Sequence, residues 1–150
     1  MPPSLRTFFF LAGLLVMFCS PHVKAQQLQI EYALGATPTS FSKFTVGESL
    51  GFLDQPVWFR FDLSELDTLQ SNVLLIRPVH IDRIDVFSGH DLVLPVLTAG
   101  DTVYSSKGLI SDGYSFVLDD RWKDELLYVR LESRNLIQPY FNIQPVDDAI

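Results

Sequence analysis

The sequence predicts an all-β domain, built as an antiparallel β-sandwich of two sheets. Short runs in which apolar and polar residues alternate recur along the chain, and turn-forming residues bound each run. No strand–helix–strand rhythm, heptad repeat or low-complexity tract interrupts this pattern. The 150 residues are rich in Phe, Leu, Val and Ile, which is enough apolar material for the core of one domain.

The predicted strands follow the alternating runs in chain order. The first covers 28–34, and a stretch rich in Ser, Thr and Gly, 35–49, follows it as a loop or an edge strand. The clearest run is 57–63 (VWFRFDL), where every second residue is apolar and belongs on a buried face. The side chains on its other face are Trp58, Arg60 and Asp62.

The remaining predicted strands are shorter or interrupted. Pro78 ends the run 72–77, and Pro95 demotes the run 92–97 to an edge or bulged strand, because proline has no N–H for the ladder. An acidic loop or a single helical turn is expected at 119–125. The other runs predicted as strands are 81–87, 114–118, 126–132 and 139–144.

The first 25 residues are predicted to be a secretory signal peptide. A basic start is followed by the uncharged apolar run 7–18, and small residues then stand at the spacing of a cleavage site after Ala25. The apolar run is shorter than the roughly 20 residues that a membrane-spanning helix needs. We therefore expect one exported domain, residues 26–150, in the periplasm or outside the cell.

The charge of the chain excludes some classes of partner, and its cysteine content excludes disulfides. The chain has 11 basic and 18 acidic residues, and loss of the signal peptide removes Arg6 and Lys24 but no carboxylate, which leaves a net charge near −9. Nucleic acids and anionic lipid surfaces bind Lys/Arg clusters, so neither is an expected partner. The single cysteine, Cys19, follows the bulky Phe18, which argues against lipid attachment. Cleavage of the signal peptide also removes Cys19, so the mature domain has no cysteine and no disulfide.

Four short motifs stand in order along most of the chain. They are GF followed by WFRF within 51–61, IDRIDVF at 81–87, GD at Gly100-Asp101, and LYVRLES at 127–133. In these motifs the chain resembles the type 2 extracellular (periplasmic) sensor domain of bacterial seven-transmembrane receptors with diverse intracellular signalling modules (7TM-DISM). The resemblance covers about 28–146.

The resemblance implies a jelly-roll fold like that of carbohydrate-binding modules, and a role in sensing a small polar ligand, with a saccharide as the expected class. In such receptors the domain signals through seven membrane helices to a cytoplasmic output module, and this sequence contains neither. We therefore expect either the N-terminal part of a longer receptor, with its membrane helix bundle as partner, or a stand-alone relative that only binds. No cofactor is expected.

Five side chains are candidates for the ligand site. A saccharide site needs a flat aromatic ring to stack on a pyranose and a few polar groups to bond its hydroxyls. Trp58 and Arg60 share one strand face, and Tyr128 and Arg130 share a face of a late strand. Non-adjacent strands pair within a jelly-roll sheet, so these residues, with Tyr114, are predicted to line one groove.

A bracing role explains the same residues without a ligand. Tryptophan buries a large area wherever it can. An arginine on a strand often pairs with a neighbouring carboxylate, and the candidates here are Asp62, Asp85 and Glu132. The sequence leaves the binding role and the bracing role open.

Neither a metal site nor an active site is predicted. On a strand His80 and Asp82 would share a face while Asp85 points away, and neither this spacing nor His90-Asp91 matches a zinc signature. The acidic turns lack the pattern of a calcium-binding loop, so we expect them to be solvated. Hydrolase elbows, metalloprotease motifs and Cys–His pairs are absent from the sequence, so the chain is not expected to be an enzyme.

Two further functions remain open beside ligand sensing. One is a structural or protein-interaction domain with no small-molecule site, in which the arginines make internal ion pairs. The other is an accessory domain separated from a glycan-processing enzyme.

Overall fold

The computed structural model describes residues 28–64, 66, 72–77, 80–89, 91–103, 113–118 and 120–148. The predicted signal peptide and His90 lie outside these residues. None of the helical segments described is both long enough and apolar enough to cross a membrane.

The described chain is almost entirely strand and loop. Its helical parts are two single 3-10 turns, Asp120–Trp122 and Val146–Asp148. The strands are β1 (Gln29–Leu34), β2 (Ser42–Lys43), β3 (Gly51–Phe52), β4 (Val57–Asp62), β5 (Asn72–Arg77), β6 (Arg83–Ser88), β7 (Leu97–Ala99), β8 (Tyr114–Leu118), β9 (Leu127–Glu132), β10 (Leu136–Ile137) and β11 (Tyr140–Pro145).

These strands form two main antiparallel sheets. The larger sheet has six strands in the order β2-β1-β4-β9-β6-β7, and the smaller has three in the order β11-β5-β8. The strands β3 and β10 form a separate pair. From β4 to β11 successive longer strands alternate between the two main sheets: β4, β6 and β9 lie in the larger sheet, and β5, β8 and β11 lie in the smaller one. Strands that are neighbours in a sheet are therefore distant in sequence. This arrangement is a β-sandwich and is consistent with a jelly roll.

The core lies between the two main sheets, as the alternating pattern predicts. The inward side chains of β4 and β9, among them Phe59, Phe61 and Val129, are fully buried. The ring of Phe141 on β11 closes against this layer, with its centroid 4.8 Å from that of Phe59 and 5.0 Å from that of Phe61. Leu74 on β5 belongs to the same buried cluster, which therefore joins both sheets.

One predicted strand is wrong in its extent. The run 92–97 was expected to be an edge or bulged strand, but only Leu97 lies in a strand, β7, which continues to Ala99, while the Val96 N–H donates a hydrogen bond to the Val86 carbonyl oxygen at 2.8 Å. The Asp91 carboxylate accepts a hydrogen bond from the Val93 N–H at 2.9 Å, and Pro95 has no N–H to donate. Both features favour a turn over a ladder, so the chain joins the edge of β6 only from Val96 onward.

The second layer is also fastened to the first by a polar contact. The Tyr114 hydroxyl on β8 donates a hydrogen bond to Asp101 Oδ1 at 3.0 Å, and lies 3.4 Å from the Ile81 carbonyl oxygen. Asp101 follows Gly100, whose φ of +131° and close approach to the Asp82 backbone suit only glycine. The GD motif thus ties the turn after β7 to the opposite sheet.

Candidate functional site

The structure brings four of the five predicted site residues together on the outer face of the six-stranded sheet. In the β4–β9 pair Trp58 stands directly opposite Arg130, and Arg60 stands opposite Tyr128. Because side chains alternate across a strand, all four point away from the core between the sheets. The two central strands of this sheet therefore place the signature residues in one patch.

Trp58 is enclosed within this patch rather than displayed on it. Its side chain is only 2% exposed, and its indole Nε1–H donates a hydrogen bond to the Gly35 carbonyl oxygen at 3.0 Å. The Phe87 ring lies 5.1 Å away, and the Arg130 guanidinium lies 5.7 Å from the indole centroid on the ring face. No indole face is therefore open for stacking on a ligand.

Tyr128 and Phe87 complete a small apolar cluster with Trp58 on the outer face. Phe41, from the loop before β2, packs on Tyr128 with ring centroids 6.0 Å apart. The cluster is a second, minor core on the outside of the sheet, covered by this loop. It supports a bracing role for the two aromatic residues of the motif.

Arg60 is the most open of the four residues. Its guanidinium lies 4.3 Å from the centroid of the Phe41 ring, and its Nε donates a hydrogen bond to Glu31 Oε2 at 2.8 Å. A second hydrogen bond joins its Nη2 to the same oxygen. Burial lowers the pKa of Arg60, but Glu31 and, to a smaller extent, Tyr128 raise it, and the net pKa lies above its usual value. Its side chain remains 29% exposed.

Arg130 belongs to an ion-pair network centred on a buried carboxylate. Asp85 on β6 is 1% exposed and accepts hydrogen bonds from Arg83 Nε, at 2.9 and 3.1 Å, and from Thr98 Oγ1, at 2.8 Å. Arg130 Nη2 lies 3.4 Å from Asp85 Oδ2 and also contacts Glu132. Pairing with Asp85 and Glu132 was expected for an internal brace, and this network ties β6, β7 and β9 together.

Tyr114 does not join the patch. It lies on β8 of the other sheet, and its ring is part of the main core. Burial and the nearby Asp101 carboxylate raise the pKa of its hydroxyl to about 12. Its described contacts fasten the two layers, so its predicted place in the ligand groove does not agree with its position.

A pocket of about 280 Å³ opens beside Arg60 on the outer face. We call it the Arg60 pocket, and its other lining residues are Gln29, Glu31, Asp62 and Leu126. Hydrogen bonds from the Ser64 hydroxyl and N–H lower the pKa of Asp62, so this exposed carboxylate is ionised at neutral pH. The pocket therefore offers a guanidinium, an amide and two carboxylates around one apolar side chain.

Sequence reasoning missed Gln29, Glu31 and Leu126 as pocket residues. The alternation of strand 28–34 already placed Gln29 and Glu31 on the face opposite Ile30. The missing information was the register, which sets Glu31 opposite Arg60 and Gln29 opposite Asp62. Without the β1–β4 pairing no signal joined these residues to the motif.

The possible metal ligands do not converge. His80 is largely exposed, and its Nδ1 lies 3.9 Å from Asp101 Oδ2, while Asp82 accepts a hydrogen bond from the Arg134 N–H. Among the residues that the structure describes, no three His, Cys, Asp or Glu side chains are grouped as a metal site requires.

Two comparisons with known proteins complete the description. A family model described as 7TMR-DISM extracellular 2 matches residues 24–144. This range contains β1 to β10 and all but the last residue of β11. A search of curated proteins finds no match.

Proposed function

Because the chain belongs to the 7TMR-DISM extracellular 2 family, we propose that it senses a small polar ligand, with a saccharide as the favoured class, in the Arg60 pocket. The family consists of extracellular domains of seven-transmembrane receptors, so the chain is an extracellular or periplasmic domain. Its partner inside such a receptor would be the membrane helix bundle.

The chemistry of the Arg60 pocket carries this proposal. Saccharide hydroxyls both donate and accept hydrogen bonds, and Gln29, Arg60 and Asp62 together supply donors and acceptors. The volume of about 280 Å³ is close to the lower end of the roughly 300–1,000 Å³ typical of small-molecule sites. Leu126 offers an apolar contact for the C–H face of a ring. Recognition would rest on hydrogen bonds, since Trp58 is enclosed.

The proposed role is binding without catalysis. A ligand shifts a two-state receptor only by the difference between its affinities for the two states. The pocket joins β1, β4 and the loop before β9, so its shape depends on how these elements pack. A signal would arise if the receptor's two states differ in that packing.

A panel of monosaccharides and disaccharides at millimolar concentration tests the proposal by thermal shift. We expect at least one sugar to raise the Tm saturably, because a ligand that binds only the folded state stabilises it. In Asp62→Asn the shift should be lost or strongly reduced. The matched control is Asp54→Asn, which removes an exposed carboxylate outside the pocket and should keep the shift. No shift with any sugar would refute the saccharide assignment.

The enclosed Trp58 favours a second candidate, a structural or protein-interaction domain with no small-molecule site. In that case the outer cluster and the Asp85 network serve only to hold the sheet together. The same panel separates the candidates, since a purely structural domain gives no saturable shift with any small molecule.

A further inference from the structure

A larger cavity opens at the side of the sandwich, where β1 of one sheet and β11 of the other face each other without hydrogen bonds between them. Its volume is about 830 Å³. We call it the side groove, and it is lined by residues 28–31, 43–46, Leu66 and 141–143. This volume lies within the roughly 300–1,000 Å³ of small-molecule sites.

The floor of the side groove is apolar and comes from both sheets. Ile30 on β1, Phe44 after β2 and Phe141 on β11 are buried members of the main core. Leu66 and Ile143 are partly buried and pack against them. A molecule seated on this floor would contact the two layers at once, and the apolar surface that it covers would come mainly from the partly buried Leu66 and Ile143.

The rim of the side groove is polar, and its charge is unbalanced. Glu31 is paired with Arg60, so its charge is already neutralised. Lys43 stands opposite Glu31 in the β1–β2 register, yet its side chain makes no hydrogen bond or ion pair with any of the described residues. One uncompensated cation therefore borders an apolar floor, while Thr45 and Asn142 add neutral polar groups.

From this arrangement we propose that the side groove binds an amphipathic carboxylate, with its apolar body on the floor and its carboxylate beside Lys43. An apolar cavity with a few polar groups that fix orientation is the usual form of a small-molecule site. The unpaired Lys43 side chain selects an anionic head over a cationic one. The chemistry differs from that of the Arg60 pocket, where two carboxylates and a guanidinium suit hydroxyl groups.

The two cavities adjoin at Gln29 and Glu31, which line both, but their proposed ligands and their tests are separate. The side groove takes an apolar anion and is judged with decanoate, whereas the Arg60 pocket is judged with neutral sugars. Failure of either test leaves the other standing.

Methyl NMR of the Ile-, Leu- and Val-labelled chain tests the proposal with decanoate as the probe. Saturable shifts are expected at the methyl groups of Ile30, Val46 and Ile143. The exposed methyl groups of Leu94 and Val117, which do not line the groove, should stay unchanged and report an intact fold. Decyltrimethylammonium, with the same chain length and the opposite charge, should bind more weakly. Both probes are kept below their micelle concentrations.

Matched variants assign the anion contact. Lys43→Gln should weaken decanoate binding about two- to fivefold, the effect of one exposed ion pair. Arg134→Gln removes a positive charge outside the groove and should leave binding unchanged. Thr45→Trp, a change at an exposed rim position, should fill the groove and abolish binding without loss of the fold.

Three results would overturn the proposal. They are the absence of saturable shifts at the groove methyl groups, equal affinity for the cationic probe, and equal weakening by Lys43→Gln and Arg134→Gln.

Discussion

At the scale of single residues, the outer face of the six-stranded sheet separates side chains that brace from side chains that can bind. Trp58 and Tyr128 are covered by the loop that carries Phe41, and Arg130 is held by Asp85. Arg60 is paired with Glu31 and also lines the Arg60 pocket, so it belongs to both groups. The proposed binding site is therefore the group of polar side chains around Arg60.

Replacement of Trp58 by alanine should destabilise the fold. The indole is buried and hydrogen-bonded to Gly35, so Trp58→Ala leaves a cavity and an unpaired carbonyl, at a cost of about 3–5 kcal/mol. Chemical denaturation measures this loss. Phe52→Ala is the control, because that ring is 76% exposed, and its stability should change little. A Trp58→Ala protein as stable as the wild type would contradict the bracing role.

Tyr114 should make stability depend on alkaline pH. Its pKa is about 12 in the folded chain, against an ordinary value of 10.0, so the unfolded state loses the proton first as the pH rises. The protonated Tyr114 hydroxyl therefore adds about 1–3 kcal/mol to the free energy of unfolding. This contribution is complete below pH 10 and is lost by pH 12. The Tm between pH 9 and 12 should therefore decline less steeply in Tyr114→Phe than in the wild type, whereas Tyr140→Phe should behave like the wild type. Identical slopes in all three proteins would exclude the effect.

The sequence could predict the faces of these residues but not their surroundings. Alternation correctly placed Trp58 and Arg60 on one face of their strand, and Tyr128 and Arg130 on one face of theirs. It could not tell that a loop 17 to 23 residues before Trp58 covers that face. Tyr114 is predicted beside them, yet its strand belongs to the other sheet.

At the scale of elements, the GD turn is the best example of a local requirement that serves the whole fold. A Cβ on Gly100 would lie 2.4 Å from the Asp82 carbonyl oxygen, and the positive φ is strained for any L residue. The next residue, Asp101, receives the Tyr114 hydroxyl from the opposite layer. The turn therefore needs glycine at position 100 for its backbone conformation, and it positions Asp101 to accept the hydrogen bond from Tyr114.

Gly100→Ala should lower the free energy of unfolding by about 2 kcal/mol or more, because it adds a backbone clash to strain of about 1–3 kcal/mol. Gly51→Ala is the matched control, since Gly51 also has a positive φ but no atom within 4 Å of an added Cβ. It should cost about 1 kcal/mol. Urea denaturation compares the two, and equal losses would show that the clash is relieved elsewhere.

Long strands were predictable, and short ones were not. The alternating runs that became β1, β4, β5, β8, β9 and β11 agree with the structure to within about two residues. The two-residue strands β2, β3 and β10 pair only because tertiary contacts bring them together, so no local pattern marks them. In 92–97 the apolar residues suggested a strand, but Pro95 and the Asp91 turn prevent the ladder.

At the scale of the whole molecule, we propose two neighbouring ligand sites, which share the lining residues Gln29 and Glu31. The outer face of the six-stranded sheet carries the polar Arg60 pocket, and the side groove lies between the two layers. Fold class followed from periodicity and composition, whereas strand order and register depend on contacts between distant segments. Both cavities are products of that register, and this is why their lining residues could not be read from the sequence.

The central claim is that ligand binding depends on the polar groups around Arg60 and that Trp58 supports the fold. Isothermal titration with the best sugar from the panel, on Arg60→Gln and Trp58→Phe, tests it most directly. We predict that Arg60→Gln binds about tenfold more weakly or worse, the loss expected for a charged hydrogen bond. Trp58→Phe should have a lower Tm but nearly unchanged affinity while folded. Full affinity in Arg60→Gln together with lost binding in folded Trp58→Phe would contradict the account.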